Sequence, residues 1–305
     1  MVDVKEIKSV ELVPFTLMTS SISAILAIIY ALLLLITFGA ISAFVPMAGL
    51  IFASLGISLI ILYPIGTFLV YITISFVSAL IYNMLVPRLG GVKLGLEGDE
   101  VQSVPVVPFA LIMSAVGAVW ALIIGLILAA LIVPLTTLIS TVIPLAANLA
   151  ANATNMTPAT LPTGAIVGTG GIVLALLLII GLPIMVFIFG FIGHALAAIF
   201  YNIIIPKVGG VRLEFAPAGT AHEITSIPVV AASLAIASVA LIFGIIQGIL
   251  QLISLAANVD ATAGIVALIS YIISYFVGTF IVVALITIIY NFLVPKIGGV
   301  RLGLE

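Results

Sequence analysis

Of 305 residues, 65% are hydrophobic and only 6% are charged, with a formal net charge of −2; a soluble domain carries about 25% charged residues, so water is not the main solvent for this surface. The chain holds no basic patch with interleaved aromatics for nucleic acid, and with no cysteine it can form no disulfide, thiolate metal site or cysteine nucleophile. Apolar runs longer than about 18 residues recur without alternation, as over 172–192, which predicts membrane-crossing helices rather than the alternating strands of a β-barrel.

Two short elements repeat and frame everything between them. The first reads Glu6-Ile-Lys-Ser9-Val, Glu100-Val-Gln-Ser103-Val and Glu223-Ile-Thr-Ser226-Ile. The second reads YNMLVPRLGGVKL from Tyr82, YNIIIPKVGGVRL from Tyr201 and YNFLVPKIGGVRL from Tyr290. From Glu to Asn the spans are 77, 102 and 68 residues, so the ends match and the length differences fall in a central loop. This predicts an α-helical integral membrane protein: six transmembrane helices as three tandem helical hairpins with pseudo-threefold symmetry, in repeats 1–98, 99–217 and 218–305.

Taken in order, the helices are expected over about 13–37 and 56–85, 106–133 and 171–205, and 229–254 and 264–294. The apolar stretch 39–55 reads as a loop, interfacial helix or re-entrant segment, because a third crossing would put Arg88 on the opposite face from Lys5. Pro64 and Pro183 both fall 19 residues before a motif Asn and predict kinks. The first helices carry small residues every fourth position (Thr16, Ser20, Ala24; Ala110, Ser114, Ala118; Ser233, Ala237), a spacing that lets membrane helices approach closely.

The repeated motif reads as punctuation. Tyr82, Tyr201 and Tyr290 suit a membrane interface. Pro87, Pro206 and Pro295 remove the N–H that the carbonyls of Asn83, Asn202 and Asn291 would bond, which ends the helix. Arg88, Lys207 and Lys296 can snorkel to headgroups or sit near freed carbonyls. Gly90-Gly91, Gly209-Gly210 and Gly298-Gly299 permit a reversal. Alternation then sets in, as over 92–97 and 7–12, and predicts up to six short strands on one face, with Glu97-Gly98-Asp99-Glu100 as a hairpin turn and the terminal strands near enough to close a ring. All eight Lys and Arg sit at the unit ends, which places both termini and both linkers in the cytoplasm of a multi-pass cell-membrane protein. The sequons at Asn152 and Asn155 fall in the longest outer loop and are acceptors for N-glycosylation if that face is outside. The apolar start of the chain is too long for a cleavable signal.

The Ser103-Val-Pro105 and Ser226-Ile-Pro228 lead-ins and the three YN…GG segments resemble an uncharacterised family of actinobacterial two-helix membrane proteins, a domain of unknown function. Those proteins pair a Ser-Pro-rich lead-in with an aromatic-Asn helix end, Gly-Gly and an alternating strand. The likeness covers the unit ends, about a third of the chain. Here there are three copies rather than one, no lead-in Trp and no long basic tail. The resemblance implies no activity.

Candidate chemistry is sparse. His194 is the one ionisable residue placed well inside the membrane, where such groups are functional hypotheses by default; its counterparts in the other repeats are Ser75 and Val283. A neutral His bonded to a neighbouring helix is the competing reading, and it carries the greater weight. Gln247 and Gln251 share one face of a helix end. Gly168-Thr-Gly-Gly171 reads as a loop rather than an anion site. Glu6, Glu100 and Glu223 could form a cation-binding ring, but strand-surface charges paired with Lys and Arg are the stronger reading. No P-loop, HExxH or GxSxG occurs. No enzyme, cofactor or metal is expected. Membrane lipid and a homo-oligomer or membrane-protein partner are expected, for a structural or scaffolding protein; the alternative is a transporter or channel for a small or apolar/lipidic solute along the pseudo-threefold axis.

Overall fold

The computed structural model describes residues 3–42, 44–45, 56, 58–154 and 171–305. The fold is mostly helical, at 78%, with a curved seven-stranded sheet. Among the described residues six helices are long and apolar enough to cross a membrane: α1 (Leu12–Ser42), α2 (Ser58–Leu89), α3 (Val106–Thr154), α4 (Gly171–Val208), α5 (Val229–Asn258) and α6 (Ala261–Ile297). Large side chains such as Leu131, Phe189 and Val230 face outward on these helices, 62–68% exposed, as a lipid-facing surface requires.

The helices outrun their predicted ends. Helix α1 continues through Gly39 to Ser42, into the stretch read as a loop; positions 46–55 lie outside the described residues. Helix α3 runs 49 residues instead of stopping near 133, because the Ala-, Leu- and Thr-rich sequence beyond carries no glycine pair to stop it. Helix α4 likewise runs three residues past its predicted end, to Val208. The predicted 255–263 loop contracts to Val259 and Asp260, since Asp260 caps α6 by accepting the N–H of Ala263 at 2.7 Å.

Three helices contain a π-helical turn: Ser58–Leu62, Leu177–Gly181 and Ser274–Gly278. Pro64 and Pro183 follow the first two. A proline ring clashes with the carbonyl four residues back, here Ile60 and Ile179, and each of those lies within the widened turn. The turn in α6 has no proline behind it.

The strands are β1 (Asp3–Val10), β2 (Lys93–Glu97), β3 (Glu100–Ser103), β4 (Val211–Arg212), β5 (Glu214–Ala218), β6 (Ala221–Ser226) and β7 (Arg301–Leu304). They pair antiparallel in the order β4-β3-β2-β1-β7-β6-β5. The predicted hairpin is present, with Gly98 at φ 62° in its turn. The outermost strands of the sequence also pair, Ile7 opposite Leu304. Seven strands replace six because one closing strand is split at Leu213, whose N–H turns to the carbonyl of Asp99 at 2.7 Å. The order therefore starts and finishes on one segment, 211–218. One face of the sheet packs on the helix ends: Ile224 and Leu302 meet Met18, Ile22, Ile289, Tyr290 and Leu293, and Leu96 and Val101 meet Val104 and Ala198.

The chain divides into two compact units, Met1–Ile112 with Ala195–Glu305, and Met113–His194. In the first, the ladder residues Ser20, Ala110, Ser233 and Ala237 are fully buried. Gly244 and Gly248, spaced as G-x-x-x-G, take α5 against Tyr275 and Leu268 of α6. In the second, Gly125 meets the carbonyl of Leu178, within the π turn of α4.

Gly248→Ala places a methyl 2.7 Å from a Leu268 methyl and 3.1 Å from its carbonyl, whereas a methyl at Gly193 meets nothing within 4 Å. Gly248→Ala should lower stability by about 1–3 kcal/mol through overpacking, and Gly193→Ala should leave it unchanged or raise it by up to about 1 kcal/mol. Thermal unfolding midpoints of the purified protein in detergent check both.

Candidate functional site

The repeated residues build a fastening between each helix end and the strand that precedes its helical pair. A phenol has one O–H to donate and lone pairs to accept, and each motif tyrosine uses both. Tyr82 donates to the Ile7 carbonyl at 2.7 Å and accepts the Val92 N–H at 2.9 Å. Tyr201 does the same with Val101 and Val211 at 2.6 and 3.3 Å, and Tyr290 with Ile224 and Val300 at 2.7 and 3.1 Å. Tyr82 and Tyr290 are only 8% and 5% exposed, which corrects their reading as interfacial anchors.

The asparagines imitate a peptide group. Asn83 accepts the N–H of Val10 and donates to its carbonyl, both at 2.8 Å. Asn202 holds Val104 at 2.8 and 2.9 Å, and Asn291 holds Ile227 at 3.0 and 2.8 Å. Val10, Val104 and Ile227 stand where the backbone leaves the sheet and has not yet entered a helix, so neither ladder serves both their polar groups.

The helices do not end at Pro87, Pro206 and Pro295. Those prolines lie inside the last turn, and the helices run on to Leu89, Val208 and Ile297. The first glycine is the stop. Gly90 adopts φ 80°, ψ 158° and Gly298 φ 81°, ψ 156°, a region essentially closed to other residues; Gly209 has φ 93°. The second glycine has a different task. A Cβ on Gly91, Gly210 or Gly299 would overlap the carbonyl of Ile7, Val101 or Ile224, the same carbonyl that accepts the tyrosine hydroxyl.

The opening glutamates complete the fastening. Glu6 accepts the N–H of Gly91 at 2.7 Å, Glu223 that of Gly299 at 2.6 Å, and Glu100 that of Gly210. Their side chains are only 16–18% exposed. Cations lie alongside: Lys8 and Lys93 near Glu6, Arg212 at 3.2 Å from Glu100 and Arg301 at 3.0 Å from Glu223. The Gly91 N–H, opposed by burial and assisted by Lys8 and Lys93, holds the Glu6 carboxyl below its ordinary value; the Gly299 N–H, with Arg301, does so for Glu223. Each glutamate serves its own fastening, and among the described residues no cluster of three metal-ligating acids or histidines exists.

The other candidates stay apart. Arg88 and Lys207 occupy the last turns of α2 and α4, and Lys296 lies over the Phe292 ring at 3.3 Å. His194 Nδ1 is 3.2 Å from the hydroxyl of buried Ser114, within the second unit. Gln247 and Gln251 are half-buried on α5. Asn152 lies in the last turn of α3 rather than in a loop, and Asn155 and 168–170 lie outside the described residues. No protein-family model, curated protein or solved structure compared with the chain matches it.

Sequence reasoning treated the glutamate element and the YN…GG element as separate signals. The clue to their contact was that both recur while the length between them changes.

Two outcomes follow from this geometry. Asn291→Leu strands a backbone N–H and carbonyl at about 1–3 kcal/mol each, so it should destabilise by about 2–4 kcal/mol, against about 0.5–1 kcal/mol for Lys296→Ala, which loses only a cation–π contact. Chemical unfolding in mixed micelles checks the ranking. For pH, a carboxyl held low in the fold stabilises above its ordinary value of 4.5, and that stability is lost as pH falls through the lowered folded value. Unfolding midpoints should be level between about pH 7 and 5 and fall below that, with a shallower fall in Glu6→Gln/Glu223→Gln.

Proposed function

We propose that the chain is a multi-pass membrane protein with a structural role: a rigid helical body, in three hairpins about a pseudo-threefold axis, that assembles with copies of itself or with membrane partners. The recurrence of one fastening in three places supports the repeat reading, since the same donors and acceptors meet at Asn83, Asn202 and Asn291. The observation that carries the structural reading is how the polar groups are spent. Tyr, Asn, Glu and Gly of the motif hold the sheet to the helices. Inside the helices, Ser20, Ser233 and Thr287 donate to carbonyls of their own helix at 2.6–2.7 Å, and Ser114 pairs with His194. A polar solute would find few of these groups turned toward a path. The outward-facing apolar surface then serves lipid or a partner helix.

The charge placement supports a cytoplasmic sheet. A chain without cysteine allows single cysteines to report this. Asp99→Cys in the β2–β3 turn should react with a membrane-impermeant maleimide only after cells are opened, and Val259→Cys, 68% exposed between α5 and α6, should react in intact cells. Labelling of both from one side would overturn the arrangement. Native mass spectrometry of the protein released from membranes should show an oligomer or a co-purifying membrane protein, and a bare monomer would overturn the assembly reading.

A second reading rests on one recess. Val104, Phe109, Ala197, Ala198, Tyr201, Ile236 and Val239 line an open recess of about 150 Å3 that is apolar throughout. An apolar recess of this size accepts apolar groups, which suits passage or storage of an apolar or lipidic solute. Filling it with Ala198→Leu should abolish any such flux in proteoliposomes and leave assembly intact.

A further inference from the structure

A cleft of about 180 Å3 lies between α1 and α2, and unlike the apolar cavity it is rich in hydroxyls: Ser23 and Tyr30 from α1, and Tyr63, Thr67 and Tyr71 from α2. A wider recess of about 430 Å3 continues it along α2 and shares Tyr63, Thr67 and Tyr71. The spacing i, i+4, i+8 puts those three on one face of the helix.

The Ser23 hydroxyl donates to the carbonyl of Thr19 at 2.8 Å. The hydroxyls of Tyr30, Tyr63, Thr67 and Tyr71 have no hydrogen-bond partner among the described residues. The three tyrosines are large and 41–45% exposed, in contrast to the buried, doubly bonded tyrosines of the fastening. Space is left deliberately open beside them: a Cβ on Gly66 would meet nothing within 4 Å.

Height fixes what the cleft faces. Tyr30 and Tyr71 are each 18 residues from the sheet-side end of their helix, about 27 Å along the axis at 1.5 Å per residue. The two therefore stand level with each other. The hydrocarbon core is about 30 Å thick, so this pair stands at its far edge and Tyr63, two turns higher, stands among headgroups. At that boundary a tyrosine hydroxyl is well placed to meet polar groups of the lipid, and the commonest acceptors there are the ester carbonyls of glycerolipids. Below Tyr30, Leu26 and Ala27 give the cleft an apolar stretch for the start of a chain.

We propose that this cleft is a lipid site that seats the glycerol-ester region of a phospholipid from the leaflet opposite the sheet, with the hydroxyls of Tyr30, Thr67 and Tyr71 donating to its ester carbonyls and Tyr63 reaching its phosphate. No lysine or arginine lines the cleft, so recognition is of the ester region and not of headgroup charge. The site is independent of the assembly reading, because it needs only that α1 and α2 cross the bilayer.

The test uses the full chain in vesicles of phosphatidylethanolamine and phosphatidylglycerol carrying a trace of phosphatidylglycerol with a diazirine beside one ester. After irradiation, adducts are mapped by peptide mass spectrometry. Adducts should concentrate on 23–30 and 63–71. In Tyr30→Phe/Tyr63→Phe/Tyr71→Phe, which keeps every ring, they should fall at least about fivefold, as the loss of one net hydrogen bond or more implies, while adducts on α5 stay constant. Adducts spread in proportion to exposed area, or an unchanged yield in the triple variant, would overturn the site. Should the triple variant not fold, Tyr71→Phe alone carries the test, and an unchanged yield there is equally fatal.

Discussion

Where a strand ends and a membrane helix begins, the N–H and carbonyl of one residue are left for a side chain to serve, and here an asparagine amide takes both. Asn83, Asn202 and Asn291 each accept an N–H and return one to the carbonyl of the same residue. The net worth of such bonds is about 1 kcal/mol each, but the cost of leaving the groups bare is higher, and little water reaches a helix end packed under a sheet. The other motif residues depend on that fixed point. Once Val10 is held, Ile7 three residues back offers one carbonyl to Tyr82 and Gly91 together, and Glu6 reaches the Gly91 N–H. A longer side chain at the second glycine would lift the helix end off the strand and undo all four contacts.

Much of this was readable from residue types alone. Apolar length marked the six helices, and alternation marked the strands. Gly98 between Glu97 and Asp99 marked a hairpin turn that is present. What escaped was of two kinds. Far helix ends are hard to read because a membrane helix needs no polar boundary, so 134–154 and 39–42 extend helices past Pro134, Pro144 and Gly39, none of which stops them. Partners were misjudged because the acceptors are backbone carbonyls, which every residue has. A tyrosine near a membrane surface looks like an anchor until the Ile224 carbonyl is found 2.7 Å from its hydroxyl. The G-x-x-x-G of Gly244 and Gly248 lies beside the more regular serine and alanine ladder and seats α5 on α6.

The distribution of polarity sets the functional alternatives. Ionisable groups gather in and around the sheet, where each glutamate is covered and compensated by a glycine N–H and a cation. The helices carry one histidine, paired with Ser114, and hydroxyls of which several, Ser20, Ser233 and Thr287 among them, bond within a turn. The described residues offer two kinds of surface: apolar helix exteriors and a sheet whose charges are largely paired. Both are consistent with the structural role proposed above. The two clefts differ in the same terms, one wholly apolar at the sheet end of α4 and α5, the other bearing hydroxyls at the far end of α1 and α2.

The strand order has a topological consequence. Strand β1 lies between β2 and β7, Glu6 and Glu305 exchange backbone hydrogen bonds at 2.6 and 3.0 Å, and β4 and β5 are one segment broken at Leu213. The pairing order therefore begins and ends on the two halves of one covalent segment, and both chain ends lie in its interior strands. Cutting the backbone at the Gly98-Asp99 turn and joining Glu305 to Asp3 through a short linker would preserve every pairing, so the architecture is indifferent to which loop carries the break. The order of synthesis is then a property of the gene and not of the sheet.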